Sequence, residues 1–429
     1  VQDPIDPALL FLGTEFGLWI STDGGGQWSR FTQGLPTVAV FDLALHPRDH
    51  DLVIATHGRA LYVIDDVAPL RGLTAAALDA PLALFAPAPA RQHWRPGEDG
   101  GFGFGGGEFR GENRPYGALV SFVAGGADLP LADPKRERER QVGLRRSERE
   151  GGPALATAPQ AEPGPAAERA KKRATVEIRD AAGTLVRTLR VEPKRGLNRV
   201  VWDLGRDAHR SFPPETPEEK PNPNPSGPEV APGVYEVTLK FRGQEAAARI
   251  EVRPDPSAGN DAEAWREREA ALAEVGRLND AAVAAVERIR AVYRDLDAIA
   301  EGQRAAHADA LARGDLDAAE LPFAAEAKAL CEGLGKLERR FWVPHDTVGI
   351  VDDEETVANR VHTVRSYLTS SWSPPNADQR EYLRRARATL SAALDALDAF
   401  EATAVAEFRA RVAAGGVGLL GELPPMPRP

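Results

Sequence analysis

The chain has 429 residues, of which 53 are Lys or Arg and 64 are Asp or Glu, so its formal net charge is −11. Its length predicts about two to four domains and argues against a single compact domain. The acidic balance argues against a nucleic-acid-binding protein, because such proteins need a concentrated basic face. The single cysteine, Cys331, excludes a disulfide framework and a cysteine-based zinc or iron–sulfur site, and its neighbours Leu330 and Leu334 predict a buried thiol.

Membrane and export signals are not evident in the sequence. No apolar run reaches the roughly 18 residues of a membrane helix, and the N-terminus has neither the basic nor the apolar region of a signal peptide. The chain starts at Val1 in the middle of a β pattern, and its only methionine is Met426. We therefore expect the C-terminal portion of a longer protein, with no membrane span.

The first 70 residues contain a repeat. Pro4 recurs as Pro47 and Thr14 recurs as Thr56, which gives a period of 43 or 42 residues. A period of about 42 residues is typical of one blade of a β-propeller. Short apolar segments separated by turn residues predict six strands, at residues 9–14, 18–21, 28–32, 40–45, 52–56 and 61–64.

The turn after the second predicted strand matches the pattern S-x-D-x-G-x-x-W at Ser21, Asp23, Gly25 and Trp28. A short carboxylate satisfies turn N–H groups, a glycine permits positive φ, and a Trp supplies apolar area between sheets. At these residues the chain resembles the Asp-box, or BNR repeat, β-propellers, which include sialidases, xyloglucanase-type glycosidases and the sortilin ectodomain. In that family the box is a folding element, so the resemblance implies a structural role and no metal.

Further segments narrow the resemblance. Residues 13–19, the Thr56-His57-Gly58-Arg59 turn and the pair Asp65-Asp66 resemble bacterial proteins described as sortilin-like or "glycosyl hydrolase, BNR repeat". The resemblance implies that residues 1–69 are the last blades of an Asp-box β-propeller. It also implies an immunoglobulin-like module, a helical tail and a secreted or periplasmic location.

The middle of the chain predicts a linker and a β domain. Residues 70–116 include the glycine run from Gly100 to Gly107 and predict a Gly-rich linker rather than a phosphate-binding loop, because no flanking strand, helix or lysine is evident. Residues 117–254 predict an Ig-like β-sandwich, with a mobile insertion at 125–173 and a proline-rich loop at 212–232. Its six strands are predicted at residues 119–123, 175–178, 185–189, 199–204, 234–241 and 247–252.

Residues 255–429 predict an antiparallel bundle of three or four helices, because the apolar period changes from 2 to 3.6. Asn260, followed by Glu263, predicts the first helix N-cap. Pro374 and Pro375 must break the last helical segment, and Asn376 can cap its continuation. The predicted fold is therefore multidomain, mainly β and then α.

No catalytic set can be assembled from the sequence. Glycoside hydrolysis needs two carboxylates flanking the sugar, and the candidates near strand ends cannot be paired; they are Glu15, Asp42, Asp65 and Asp66. A sialidase needs converging arginines and a tyrosine, and the first segment offers only Arg30, Arg48, Arg59 and Tyr62. Three histidines, His46, His50 and His57, do not predict a metal site. No G-x-S-x-G motif occurs, and no cofactor is predicted.

Two functions stay open at this point. One is a binding or scaffolding protein whose propeller holds a peptide or glycan, with upstream blades of the same protein as partner. The other is a glycosidase whose carboxylates lie in those upstream blades. The predicted ligand-binding residues are Glu15, Phe16, His57 and Arg59, since they occupy equivalent turns of the two repeats. The alternative is that Arg59 and Glu15 pair with each other.

Overall fold

The computed structural model describes residues 1–94, 111–149, 173–212, 224–258, 261–314, 321, 323–343 and 355–414. The chain divides into two compact units. Residues 1–207 and 223–259 form the β unit, and residues 208–222 and 260–429 form the helical unit. The prediction of a multidomain chain, mainly β and then α, is confirmed. The glycine run predicted within the linker lies outside the described residues.

Two three-stranded antiparallel meanders open the β unit. The first meander contains β1 (Leu10–Thr14), β2 (Gly17–Ser21) and β3 (Ser29–Phe31). The second meander contains β4 (Val40–Leu45), β5 (Leu52–Thr56) and β6 (Leu61–Ile64). The six strands predicted from the repeat are confirmed.

The two meanders share one apolar core. Phe11 and Leu18 of the first meander and Leu52 and Ile54 of the second are at most 1% exposed and belong to the same cluster. Because side chains alternate along a strand, each meander buries one of its two faces in this contact. The period-2 pattern in the sequence therefore corresponds to a buried face and an outer face.

The structure departs from the linker predicted for residues 70–116. A 3₁₀-helix (Ala68–Gly72) and a short helix, α1 (Ala75–Asp79), lead into β7 (Leu82–Leu84) and β8 (Ala90–Arg91). Strand β7 pairs with a later strand, β9 (Ala118–Ala124). Leu82 and Leu84 pack on the core of the following sheets, so burial of alternate residues outweighs the Gly-rich composition nearby.

The rest of the β unit contains a five-stranded sheet and a three-stranded sheet that share one core, and a separate two-stranded sheet. The further strands are β10 (Ala174–Arg179), β11 (Leu185–Val191), β12 (Gly196–Trp202), β13 (Gly205–Asp207), β14 (Ser226–Glu229), β15 (Gly233–Phe241) and β16 (Gln244–Arg253). The five-stranded sheet has the order β11-β10-β15-β16-β8 and the three-stranded sheet has the order β12-β9-β7. All six strands predicted between residues 117 and 254 are confirmed, and Tyr235, Val237, Leu239 and Phe241 form the buried face of β15 as their alternation predicts.

Within the predicted mobile insertion at residues 125–173, the structure has a helix, α2 (Pro134–Arg149). Its first turn is anchored by Glu137, whose carboxylate accepts the N–H of Leu131 at 2.8 Å and pairs with Arg140 at 2.7 Å. The Arg140 hydrogen bond, with smaller contributions from Gln141 and Leu131, lowers the pKa of Glu137 to about 2. Residues 150–172 of the insertion lie outside the described residues.

The helical unit has one apolar core. Its helices are α3 (Ala262–Ala306), α4 (Ala308–Arg313), α5 (Ala324–Phe341), α6 (Val357–Thr369), α7 (Ala377–Phe400) and α8 (Ala406–Ala414), with a π-helical turn (Glu401–Val405) before α8. Helices α3, α5, α6, α7 and α8 contribute to the same cluster. Among the described residues, no helix combines the length and apolar character needed to cross a membrane.

The predicted helix caps are partly correct. Asn376 caps α7 through a capping box with Gln379, as predicted. The cap of α3 is Asp261 rather than Asn260, and its side chain accepts the N–H of Glu263 at 2.9 Å. Both residue types are good caps, so the choice between neighbours depends on where the helix packs. The Cys331 thiol is half-buried, and burial raises its pKa.

Candidate functional site

Two hairpins, one in each meander, end in equivalent turns. In the first, the Thr14 hydroxyl donates to the carbonyl of Gly17 at 3.0 Å; in the second, the Thr56 hydroxyl donates to that of Ala60 at 2.7 Å. A Cβ added at Gly13 would lie 2.7 Å from Val40, which is the register partner of Thr56. The β1–β2 and β5–β6 turns therefore lie at the same end of the packed meanders.

The predicted ligand-binding residues all lie in these turns. Glu15, His57 and Arg59 are exposed, and 65% of Phe16 is exposed. In the described part of the chain, Glu15 and Arg59 do not form an ion pair, and no hydrogen bond engages the Arg59 guanidinium. The Arg59 side chain is thus available to an anionic ligand in this structure.

The structure adds Phe41, which the sequence reasoning missed. Its ring centroid lies 5.0 Å from that of His57, and the side chain is 70% exposed. Phe41 sits at a register irregularity between Val40 and Asp42, so it breaks the alternation that predicts which residues face outward. The sequence signal for Phe41 was a large apolar residue in β4 that does not fit the alternation of its neighbours. Together, Phe41 and the predicted turn residues are called the turn cluster.

The turn at residues 21–28, which carries the box pattern, is closed by side chain–backbone and side chain–side chain hydrogen bonds. The Ser21 hydroxyl donates to Asp23 at 2.8 Å and accepts the N–H of Gly25 at 2.9 Å, while Asp23 accepts the N–H of Gln27 at 2.9 Å. The Trp28 indole N–H donates to the carbonyl of Gly25 at 3.1 Å. The hydrogen bond from Gln27, followed by that from Ser21, lowers the pKa of Asp23.

Trp28 is 36% exposed, whereas the predicted position between two sheets would bury its ring. Its indole lies along the backbone of its own turn, since a Cβ added at Gly25 would be 3.8 Å from the ring. The hydrogen bond of the Trp28 indole is therefore local to this turn.

Replacing Asp23 with alanine is expected to lower the melting temperature at neutral pH, because the turn loses the acceptor of the Gln27 N–H. The folded-state pKa of Asp23 is lowered, so its contribution is present above the ordinary Asp pKa and is lost as pH falls through the lowered value. Thermal unfolding of both proteins from neutral to acidic pH checks this. A difference in melting temperature that widens on acidification would contradict it.

Asp65 and Asp66 take part in structural contacts. Arg199 of β12 donates to the main-chain carbonyls of Asp65 at 2.6 Å and Asp66 at 2.7 Å. Asp51 accepts the N–H of Asp66 at 2.8 Å and a hydrogen bond from Arg114 at 3.1 Å. Burial, and then the Asp51 charge, raise the pKa of Asp65, and burial lowers the pKa of Arg199. These groups join the second meander to the β12-β9-β7 sheet.

The remaining candidates are dispersed. Arg48 pairs with Asp49 at 2.7 Å, Arg30 donates to Thr37 at 2.7 Å, and the Asp42 carboxylate accepts the N–H of Leu43 at 2.9 Å. The ring nitrogen of His46 accepts the N–H of Asp49, whereas that of His50 contacts Arg71. Among the residues that the structure describes, no group of three or more His, Cys, Asp or Glu side chains is placed to hold a metal ion.

Comparison of the chain with protein-family models, curated proteins and solved structures found no match. The resemblance to Asp-box proteins thus stays a prediction that depends on the box residues and the repeat.

Proposed function

We propose that this chain is the C-terminal portion of a sortilin-like Asp-box β-propeller protein that binds a peptide or glycan. Two features support the propeller: the repeat of 42 or 43 residues falls on two similar meanders packed face to face, and the box residues hydrogen-bond within one turn. The two-sheet core after the meanders supports an Ig-like accessory module. Upstream blades of the same protein would complete the ring, in a secreted or periplasmic setting.

The main support for a binding role is the exposure of the turn cluster. Phe16 and Phe41 are 65% and 70% exposed, the His57 ring lies beside Phe41, and the Arg59 guanidinium is exposed at the same end of the meanders. Exposed aromatic rings gain from stacking on a flat ligand surface, and an arginine fork matches a carboxylate. We therefore expect a ligand that combines an apolar or sugar-ring face with a carboxylate.

The test compares Arg59→Ala with Arg48→Ala in the full-length protein, using a panel of acidic glycans and peptides with a free carboxylate. Arg48 is the matched control, because it is an exposed arginine of the same meander that already pairs with Asp49. Arg59→Ala is expected to weaken binding about tenfold or more, since charge-assisted hydrogen bonds are worth about 1.5–3 kcal/mol. Arg48→Ala is expected to bind normally.

The pattern of binding and stability separates a ligand role from a structural one. An Arg59→Ala protein that binds normally but melts several degrees lower would contradict the proposal. Arg59→Lys should restore only part of the affinity, because an ammonium group cannot make the two parallel hydrogen bonds of a guanidinium. Hydrolysis of the glycan panel by the 429-residue chain alone would instead favour a glycosidase with its catalytic residues inside this chain.

A further inference from the structure

Residues of the β1–β2 hairpin can be matched to equivalent residues of the β5–β6 hairpin by an offset, a difference in residue number that is constant on each side of the turn. Thr14 and Thr56 play the same part in their hairpins, so an offset of 42 residues places Leu12 on Ile54. The second hairpin has one more turn residue, because Thr14 pairs with Gly17 while Thr56 bonds to Ala60. After the turn, the offset is therefore 43 residues.

Equivalent residues have opposite burial. Leu12 is 46% exposed, whereas its equivalent Ile54 is 0% exposed. Leu18 is 0% exposed, whereas its equivalent Leu61 is 66% exposed. The reason is that the first meander buries the face that carries Leu18, and the second buries the face that carries Ile54. Two different faces are consequently left on the outside.

We name these faces by their residues. The leading face is the outer side of the first meander, with Leu10, Leu12 and Trp19. The trailing face is the outer side of the second meander, with Val53, Leu61 and Val63. Exposed apolar patches of this kind mark interaction surfaces.

The contact between the two meanders already shows what fits a trailing face. In that contact, Leu18 and Ile20 of the first meander, which are equivalent to Leu61 and Val63, pack with Leu52 and Ile54 of the second. Leu52 and Ile54 are themselves equivalent to Leu10 and Leu12. The exposed trailing and leading faces therefore repeat the two residue patterns of an interface that the chain already forms.

The main chain of β5 shows which backbone groups of the second meander are unpaired. The N–H of Thr56 donates to the carbonyl of Ala60, toward β6, at 3.2 Å, and the next N–H, of His57, donates to Ala39, toward β4, at 2.9 Å. Because these directions alternate along a strand, Ile54 and its register partner Tyr62 also bond to each other. Leu61 and Val63 then direct their N–H and C=O groups to the other edge of β6.

The equivalent edge of β2 in the first meander is paired with β3, whereas this edge of β6 has no partner strand among the described residues. Leu18 and Ile20, the equivalents of Leu61 and Val63, pair with Phe31 and Ser29 of β3. In the described part of the chain, β6 is the last strand of its sheet. The trailing side thus offers an apolar face together with an unpaired strand edge, which is a template for association.

We infer that the trailing face binds the leading face of another meander of this repeat, and that in a solution of the 429-residue chain a second copy supplies it. The contact joins two different faces, so a bound pair still exposes one leading and one trailing face, and association proceeds head to tail. This inference depends on the repeat alone and does not require the turn cluster to bind a ligand.

The test uses sedimentation velocity over a concentration series with two single variants. Leu12→Lys places a charge on the leading face and Leu61→Lys places one on the trailing face. Each is expected to weaken self-association at least about tenfold, because an unpaired charge is costly in an apolar contact. An equimolar mixture is expected to form a 1:1 heterodimer, since each variant retains the face that the other has lost.

Val234→Lys is the matched control, because Val234 of β15 is 51% exposed and lies outside both faces. It is expected to associate like the unmodified chain. All three sites are exposed, so circular dichroism should show unchanged folding. A chain that stays monomeric at every concentration would overturn the inference. So would variants whose mixture associates no better than either alone, because that outcome indicates contact between identical faces.

Discussion

Replacing Trp202 with alanine is expected to lower the free energy of unfolding of the β unit by about 3–5 kcal/mol, the usual range for a buried Trp or Phe. Trp202 ends β12 and is 0% exposed. Its ring meets that of Tyr235 edge-on at 5.2 Å, and its indole N–H donates to the carbonyl of Gly205 at 2.9 Å. The substitution therefore leaves a cavity in the core and a buried carbonyl without its donor. Denaturant unfolding followed by circular dichroism measures the change.

Two controls separate the cavity from a general effect on β12. Leu197 lies on the same strand and is 37% exposed, so Leu197→Ala should cost much less than Trp202→Ala. Trp202→Phe should fall between them, because it keeps most of the apolar volume but loses the indole N–H. If Trp202→Ala and Leu197→Ala unfold at the same denaturant concentration, the inference that Trp202 is central to this core is wrong.

The sequence predicts strands well where burial alternates. In β15, every second residue from Tyr235 to Phe241 faces the core, and both the strand and its buried face are confirmed. The linker prediction failed at β7 because only three residues, Leu82–Leu84, carry the signal, and their pairing partner in β9 is distant in sequence. Amino-acid composition is averaged over a long segment and therefore hides a three-residue strand, whereas strand pairing depends on those three residues themselves.

The turn cluster was predictable only in part. The repeat placed Glu15 and Arg59 in equivalent turns, and the structure shows these turns at the same end of the meanders. Phe41 could not be found by period, because the irregular register in β4 changes which side chains face outward. Likewise, the sequence could not show that Arg59 lacks Glu15 as a partner, since ion pairing depends on distances between separate strands.

A second large effect is expected at a glycine in the helical unit. Residues 208–212 belong to that unit although strands flank them in sequence, and the His209 ring lies over Gly276 of α3, where an added Cβ would overlap it. His209 contacts Asp280 at 3.3 Å, and Asp280 also accepts the N–H of Arg210 at 2.9 Å. Farther along the segment, Phe212 stacks on Trp342 with ring centroids 5.4 Å apart.

Gly276→Ala is expected to destabilise the helical unit by about 1–3 kcal/mol through overpacking, against a gain of at most about 1 kcal/mol in helix propensity. Gly302→Ala, in the same helix, has the opposite expected sign, because an added Cβ there has no heavy atom within 4 Å. It should stabilise by about 0.5–1 kcal/mol. Thermal unfolding monitored at 222 nm, the usual helix wavelength, distinguishes the two signs.

The double variant His209→Ala/Gly276→Ala decides whether the clash with the ring is the cause. Removing the ring makes room for the alanine methyl, so Gly276→Ala should cost little or even stabilise in the His209→Ala background, whereas it destabilises the unmodified chain. Coupling of this kind is expected only between residues in contact. If Gly276→Ala lowers stability equally in both backgrounds, the ring is not what requires glycine here, and the docking of residues 208–212 onto α3 would depend on Asp280 and Phe212 instead.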